Sequence, residues 1–113
     1  MASDTVMVFT RFGLGSGPDE LQKLLAGKFL SLLNESGDLP AKILFYTEGV
    51  KLACEGSPVL EPLRTLQARS VELILCSTCL DYFGLRERVA VGIIGGLPDI
   101  IEAMQMAEKV ISL

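Results

Sequence analysis

Histidine and tryptophan are absent from this chain of 113 residues. Without an imidazole there is no ordinary general base near neutral pH, the commonest metal ligand is missing, and neither a Ser-His-Asp nor a Cys-His arrangement can form. Chemistry is left to thiols, carboxylates, hydroxyls, lysines or backbone amides. Basic residues are also few: ten Lys and Arg stand against fourteen Asp and Glu, for a formal charge of −4. No cluster of Lys or Arg recurs along a segment that could track phosphates, which argues against nucleic acid as a partner. No apolar run approaches the length needed to span a bilayer. The N-terminus, Met1-Ala2-Ser3-Asp4-Thr5, has neither a basic n-region nor an apolar h-region. A soluble, cytoplasmic protein without membrane contact is expected. The three cysteines, Cys54, Cys76 and Cys79, are too few and too oddly counted for a secreted disulfide framework, and read as reduced thiols.

What the chain has in quantity is apolar side chains, 50% of the total, with a mean hydropathy of +0.45. Residues 1–113 suffice for a single domain with one core. The surplus of apolar residues predicts surface shared between subunits. Apolar runs of strand length, at 5–10, 41–47, 71–75, 89–94 and 109–113, alternate with helix-like segments. This βαβαβαβαβ pattern predicts an α/β fold with a mainly parallel five-stranded sheet covered on both faces, flavodoxin-like in general plan. In the first helix Leu21, Leu24, Leu25, Phe29, Leu32 and Leu33 form the expected inward stripe, with Ala26 and Leu30 off it. Ser16 or Gly17 is expected to cap this helix, with Pro18 in its first position. The preceding loop, Gly13-Leu14-Gly15-Ser16-Gly17, lacks the spacing of a phosphate cradle, and Asp19 and Glu20 would repel a phosphate.

The stretch that concentrates chemistry is Val71-Glu72-Leu73-Ile74-Leu75-Cys76-Ser77-Thr78-Cys79-Leu80-Asp81-Tyr82-Phe83-Gly84. It reads as a buried parallel strand passing directly into a short helix, with Ser77 or Thr78 as the cap and Gly84 as the stop. Thiols at the carboxyl end of a parallel strand lie where open α/β sheets place their ligands, and a helix start favours a thiolate. A Cys-x-x-Cys can be half of a zinc site, a disulfide redox couple, or one working thiol with a neighbour that assists or resolves it. Zinc is weakest, since no second pair and no histidine complete a tetrahedron. Thioredoxin-like redox proteins place the motif after an early strand; here it follows the third. The segment from Glu48 to Pro58 reads as a long loop at the end of the second strand, so Lys51, Cys54, Glu55 and Ser57 are candidates by location. Gly15 is counted with Ser77, Thr78, Lys51 and Cys54 as lining the site.

These residues also carry a family likeness. Gly13-Leu14-Gly15-Ser16-Gly17-Pro18-Asp19-Glu20-Leu21, Glu48-Gly49-Val50-Lys51-Leu52 with Glu55-Gly56-Ser57, and Cys76-Ser77-Thr78-Cys79-Leu80-Asp81-Tyr82-Phe83-Gly84-Leu85 resemble DsrE-like sulfur-relay proteins. The resemblance is strongest to the DsrE-like domain of YedF proteins linked with selenium metabolism, and it runs over nearly the whole chain. It implies a three-layer α/β/α domain, assembled as a homotrimer or homohexamer, that carries sulfur as a cysteine persulfide between a protein donor and a protein acceptor, without a bound cofactor. It places the acceptor on Cys76, with Cys79 as companion. YedF proteins usually add an N-terminal TusA-like domain, so a separate donor, TusA-like in kind, is expected here, and Ser77 stands where glycine is common. Two other readings use the same residues: a small thiol-disulfide redox protein, or a non-catalytic oligomeric subunit whose cysteines merely pack.

Overall fold

A computed structural model describes residues 4–113; residues 1–3, part of the N-terminus read above as free of leader features, lie outside it. Five apolar segments become strands because each is short and rich in Val, Ile, Leu or Phe. They are β1 (Thr5–Phe9), β2 (Lys42–Phe45), β3 (Glu72–Cys76), β4 (Ile93–Gly95) and β5 (Lys109–Ser112). All four pairings are parallel, and the sheet order is β4-β3-β2-β1-β5. The chain walks from β1 to β4 at one edge, then returns across the sheet to place β5 on the far side of β1. In the flavodoxin order 2-1-3-4-5 the reversal comes after β2 instead.

Four α-helices make the crossovers: α1 (Asp19–Ser36), α2 (Leu60–Ala68), α3 (Ser77–Phe83) and α4 (Leu97–Met106). Right-handed connections put helices that follow steps in one direction on one face and those that follow the return on the other. Accordingly α1 packs on α2, while α4 packs on β3 and β4. Side chains alternate along each strand; Val6, Ile74 and Ile93 line a groove beside Ala103 and Met106 of α4. The core runs through both faces, from Phe9, whose ring stacks on Phe45 at 5.8 Å, to Leu30, Leu63, Leu66, Leu75 and Ile100. No described helix is long and apolar enough to cross a membrane.

Three local expectations change. The buried residues of α1 are Ala26 and Leu30, while Leu21, Leu24, Leu25 and Leu32 are exposed, Leu32 at 62%. The helix is apolar around so much of its surface that leucine count points the wrong way; the small Ala26 marks where it is buried. Pro18 is the N-cap of α1 rather than its first residue. The fourth strand starts later than the apolar run, because Gly92 takes a left-handed φ of 85° and Val89 is drawn into an isolated antiparallel bridge with Cys54.

The expected loop after β2 is in its first part a 3-10 helix, Thr47–Ala53. Its start is fixed by a close backbone approach: Tyr46 N–H donates to the Phe9 carbonyl at 3.2 Å and Gly49 N–H to the Tyr46 carbonyl at 3.0 Å. A β-carbon on Gly49 would collide with the Phe9 carbonyl, so glycine is required there for space. Gly49→Ala should therefore destabilise the protein by about 1–3 kcal/mol, read as a lower urea midpoint with an unchanged slope.

Candidate functional site

The carboxyl edge of the sheet gathers the ends of β2 and β3. β3 stops at Cys76, and α3 begins at the next residue, Ser77, with Cys76 itself as the N-cap. Neither Ser77 nor Thr78 caps the helix, contrary to expectation, because the strand leads into it with no intervening residue for a hydroxyl to occupy. Cys79 thus falls in the first turn of α3. Gly84 ends the helix in the left-handed conformation, φ 67°. Just beyond, Arg86 grips the Asp81 carboxylate through two hydrogen bonds, 2.7 and 3.0 Å, and holds the Asp81 carboxyl below its ordinary range.

The two thiols differ in access. Cys76 is buried, 1% exposed, whereas Cys79 is half-buried. They are near enough for each to influence the other's ionisation. Cys79 Sγ also accepts a hydrogen bond from the backbone N–H of Thr47 at 3.0 Å. Burial pushes the Cys79 thiol up; the Thr47 N–H pulls it down, and the neighbouring Cys76 thiol pushes it up again, with a net rise. The expected preference for a thiolate at the helix start is therefore outweighed for Cys79, since a short helix offers little dipole and burial costs the charged form more.

The other candidates fall around this pair unequally. Lys51 lies in the 3-10 helix, which packs on α3. Its ammonium sits over the Phe83 ring at 4.5 Å and pairs with Glu48 at 2.6 Å. Cys54 is buried and donates its S–H to the Val50 carbonyl at 3.2 Å; burial first, and then the charge of Glu55, push its thiol up. Its backbone is engaged in the bridge to Val89, which makes it a packing residue of the 53–55 and 88–91 strap. Gly15, φ 77°, belongs to the loop that folds back on α1, where Leu14 N–H donates to the Gln22 carbonyl at 2.9 Å.

With this architecture in view, comparison with known proteins is decisive at the family level. The DsrE/DsrF-like family matches residues 12–113. The chain belongs to the DsrE/DsrF-like family. Solved structures share the fold at low identity. The ychN protein from E. coli superposes with a TM-score of 0.75 at 20% identity, over 100% of both chains. MTH1491 from Methanobacterium thermoautotrophicum, a protein of unknown function, gives 0.70 at 18%, over 96% of this chain and 97% of its own. BT1422 from Bacteroides thetaiotaomicron, also of unknown function, gives 0.70 at 13%, over 97% and 95%. No curated protein sequence matches the chain.

In this DsrE/DsrF-like chain the group that sequence reasoning missed is Thr47. Its contribution is a backbone N–H, which no residue type announces. Its conformation is also unexpected: Thr47 has φ 52°, a left-handed geometry that a β-branched residue rarely adopts and that costs about 1–3 kcal/mol.

Alkylation at neutral pH should label Cys79 well before Cys54, as mapped by peptide mass. The raised Cys54 and Cys79 thiols also tie stability to pH. Below the ordinary thiol range, about 8.5, both folded and unfolded chains are protonated and the contribution is complete. Above it the unfolded chain ionises first, so stability is lost as pH rises through the elevated native values. The fall in urea midpoint between neutral and alkaline pH should be smaller in Cys54→Ala than in the wild type.

Proposed function

We propose that the chain is a persulfide carrier in a sulfur relay, working through the Cys76/Cys79 pair, with Cys76 holding the cargo and Cys79 assisting. The observation that carries this reading is the placement of two neighbouring thiols, one buried and one accessible, at the carboxyl edge of the sheet. Sulfur arrives as the outer atom of a donor persulfide, R–S–SH. A thiolate of the pair attacks that atom, the donor S–S bond breaks, and the donor leaves as a thiol after taking up the proton. The reverse exchange delivers the sulfur to an acceptor thiol. No bound cofactor enters this chemistry. The residues quoted above support a finer kinship with the DsrE-like domain of YedF proteins, a TusA-like donor, and selenium as an alternative cargo. A reducing cytoplasm suits a carrier of this kind, because the pair must start as free thiols.

The placement of both thiols at one strand-to-helix junction also favours a second reading, a thiol-disulfide couple. Intact mass after incubation with a persulfide donor separates the possibilities. A carrier gains one sulfur; a redox couple loses two hydrogens; a subunit whose cysteines merely pack does not change. Replacing both cysteines, in Cys76→Ser with Cys79→Ser, should abolish the gain.

Assembly is part of the proposal. Leu24, Leu25 and Leu32 on α1, and Ile93, Leu97, Ile101 and Met106 around α4, are exposed, Met106 at 80%. Two apolar surfaces on opposite sides of one chain suit a closed ring, a homotrimer or a pair of trimers, in which each subunit covers its neighbour. Light scattering should give a mass of three or six chains; a monomer at micromolar concentration would contradict the assembly.

A further inference from the structure

The carrier reading leaves open how sulfur reaches a buried thiol, and the carboxyl end of β2 supplies the answer. Tyr46 N–H continues the sheet ladder onto β1 by donating to Phe9. The next N–H, that of Thr47, would find its partner on β3 if that strand continued. Because β3 ends at Cys76 and turns into α3, this N–H meets a sulfur, Cys79 Sγ, at 3.0 Å. Thr47 reaches that position in a left-handed conformation, although a glycine or asparagine would adopt it at lower cost. The surroundings hold it there: Gly49 is pressed against the Phe9 carbonyl, and the 3-10 helix packs on α3.

We propose that Cys79 is the receiving thiol and Cys76 the storing thiol, and that the backbone N–H of Thr47 is the group that holds Cys79 sulfur as an anion. The inference rests on the carrier reading and adds the order of events within it. In the first step the Cys79 thiolate attacks the outer sulfur of the donor persulfide; the donor S–S bond breaks, and Cys79 bears the new S–SH. In the second, Cys76 sulfur, its proton passed to the departed donor thiolate, attacks that outer sulfur. The Cys79 S–S bond breaks, and Cys79 leaves as the thiolate that Thr47 N–H receives. Each step exchanges one S–S bond for another, so neither oxidant nor reductant is required. The same N–H thus serves Cys79 as nucleophile and as leaving group. Of the charges on the packed elements, Lys51 pairs with Glu48, Arg86 with Asp81 and Arg88 with Glu55, and Glu87 has no ion-pair partner among the described residues. Among the described residues, the hydrogen-bond donor to Cys79 sulfur is the Thr47 N–H.

The test reads Cys79 directly. Replacing the amide between Tyr46 and Thr47 by an ester deletes this one N–H and leaves both side chains. A lost hydrogen bond to a charged group should raise the pH midpoint of Cys79 alkylation by about one unit, slowing the reaction at neutral pH about tenfold. Thr47→Gly keeps the N–H and accepts the left-handed φ, so its alkylation profile should match the wild type. In the unmodified protein the Thr47 amide proton should shift in NMR spectra with the same midpoint as alkylation, and should not titrate in Cys79→Ser. A Thr47 amide that ignores Cys79 ionisation, or an ester with an unchanged profile, overturns the role of Thr47. For the order of steps, Cys76→Ser should load and keep sulfur on Cys79, while Cys79→Ser should load Cys76 at least about tenfold more slowly than the wild type, a barrier increase of about 1.4 kcal/mol. Loading of Cys79→Ser at the wild-type rate overturns the order. A wild-type chain that takes up no sulfur overturns the carrier reading and the order together, while the amide titration, which uses no donor, still decides Thr47.

Discussion

The hydrogen bond from the backbone N–H of Thr47 to the sulfur of Cys79 joins the end of β2 to the start of α3, and the rest of the site is arranged around it. Thr47 presents its N–H toward the place where β3 has just ended, and Cys79 Sγ accepts it. Much of the local structure serves this contact. Gly49 permits the approach to Phe9, and the clamp between Asp81 and Arg86 fixes the far end of α3. The abrupt passage from Cys76 to Ser77 sets the phase of the helix that carries Cys79.

The same geometry gives the two thiols different characters. Cys76 is part of the strand and inherits its burial, so it is less accessible from outside than Cys79. Cys79, in the first turn of the helix, is half-buried and partly open to solvent. Cys54 resembles them in the sequence alone. Its hydrogen bond to Val50 and its bridge to Val89 give it a packing role, and burial together with Glu55 disfavours its thiolate.

Much of the fold was legible because its physics is local. Short β-branched runs separated by helical spacing specify parallel crossovers, and β1, β2, β3 and β5 lie within a residue or two of where the pattern puts them. The family was legible too, through the Cys76 to Leu85 stretch and the glycine loop. The orientation of α1 was not, because leucines surround the helix and Ala26 is the better guide to close packing. The 3-10 helix after β2 was hidden by Thr47, Gly49 and Val50, none of which favours a helix. The contact of Thr47 with Cys79 joins residues 32 apart through a main-chain atom, and side-chain patterns carry no signal for it.

A carrier must give up what it takes, so delivery tests the account more directly than loading. The chain would be loaded with isotopically labelled sulfane sulfur, separated from donor, and mixed with an acceptor protein bearing one reactive thiol. The account predicts that the label appears on the acceptor as a persulfide, one sulfur for each lost, and that Cys76 and Cys79 return as free thiols. Release of the label as sulfide, with a Cys76–Cys79 disulfide left behind and the acceptor unlabelled, would contradict it.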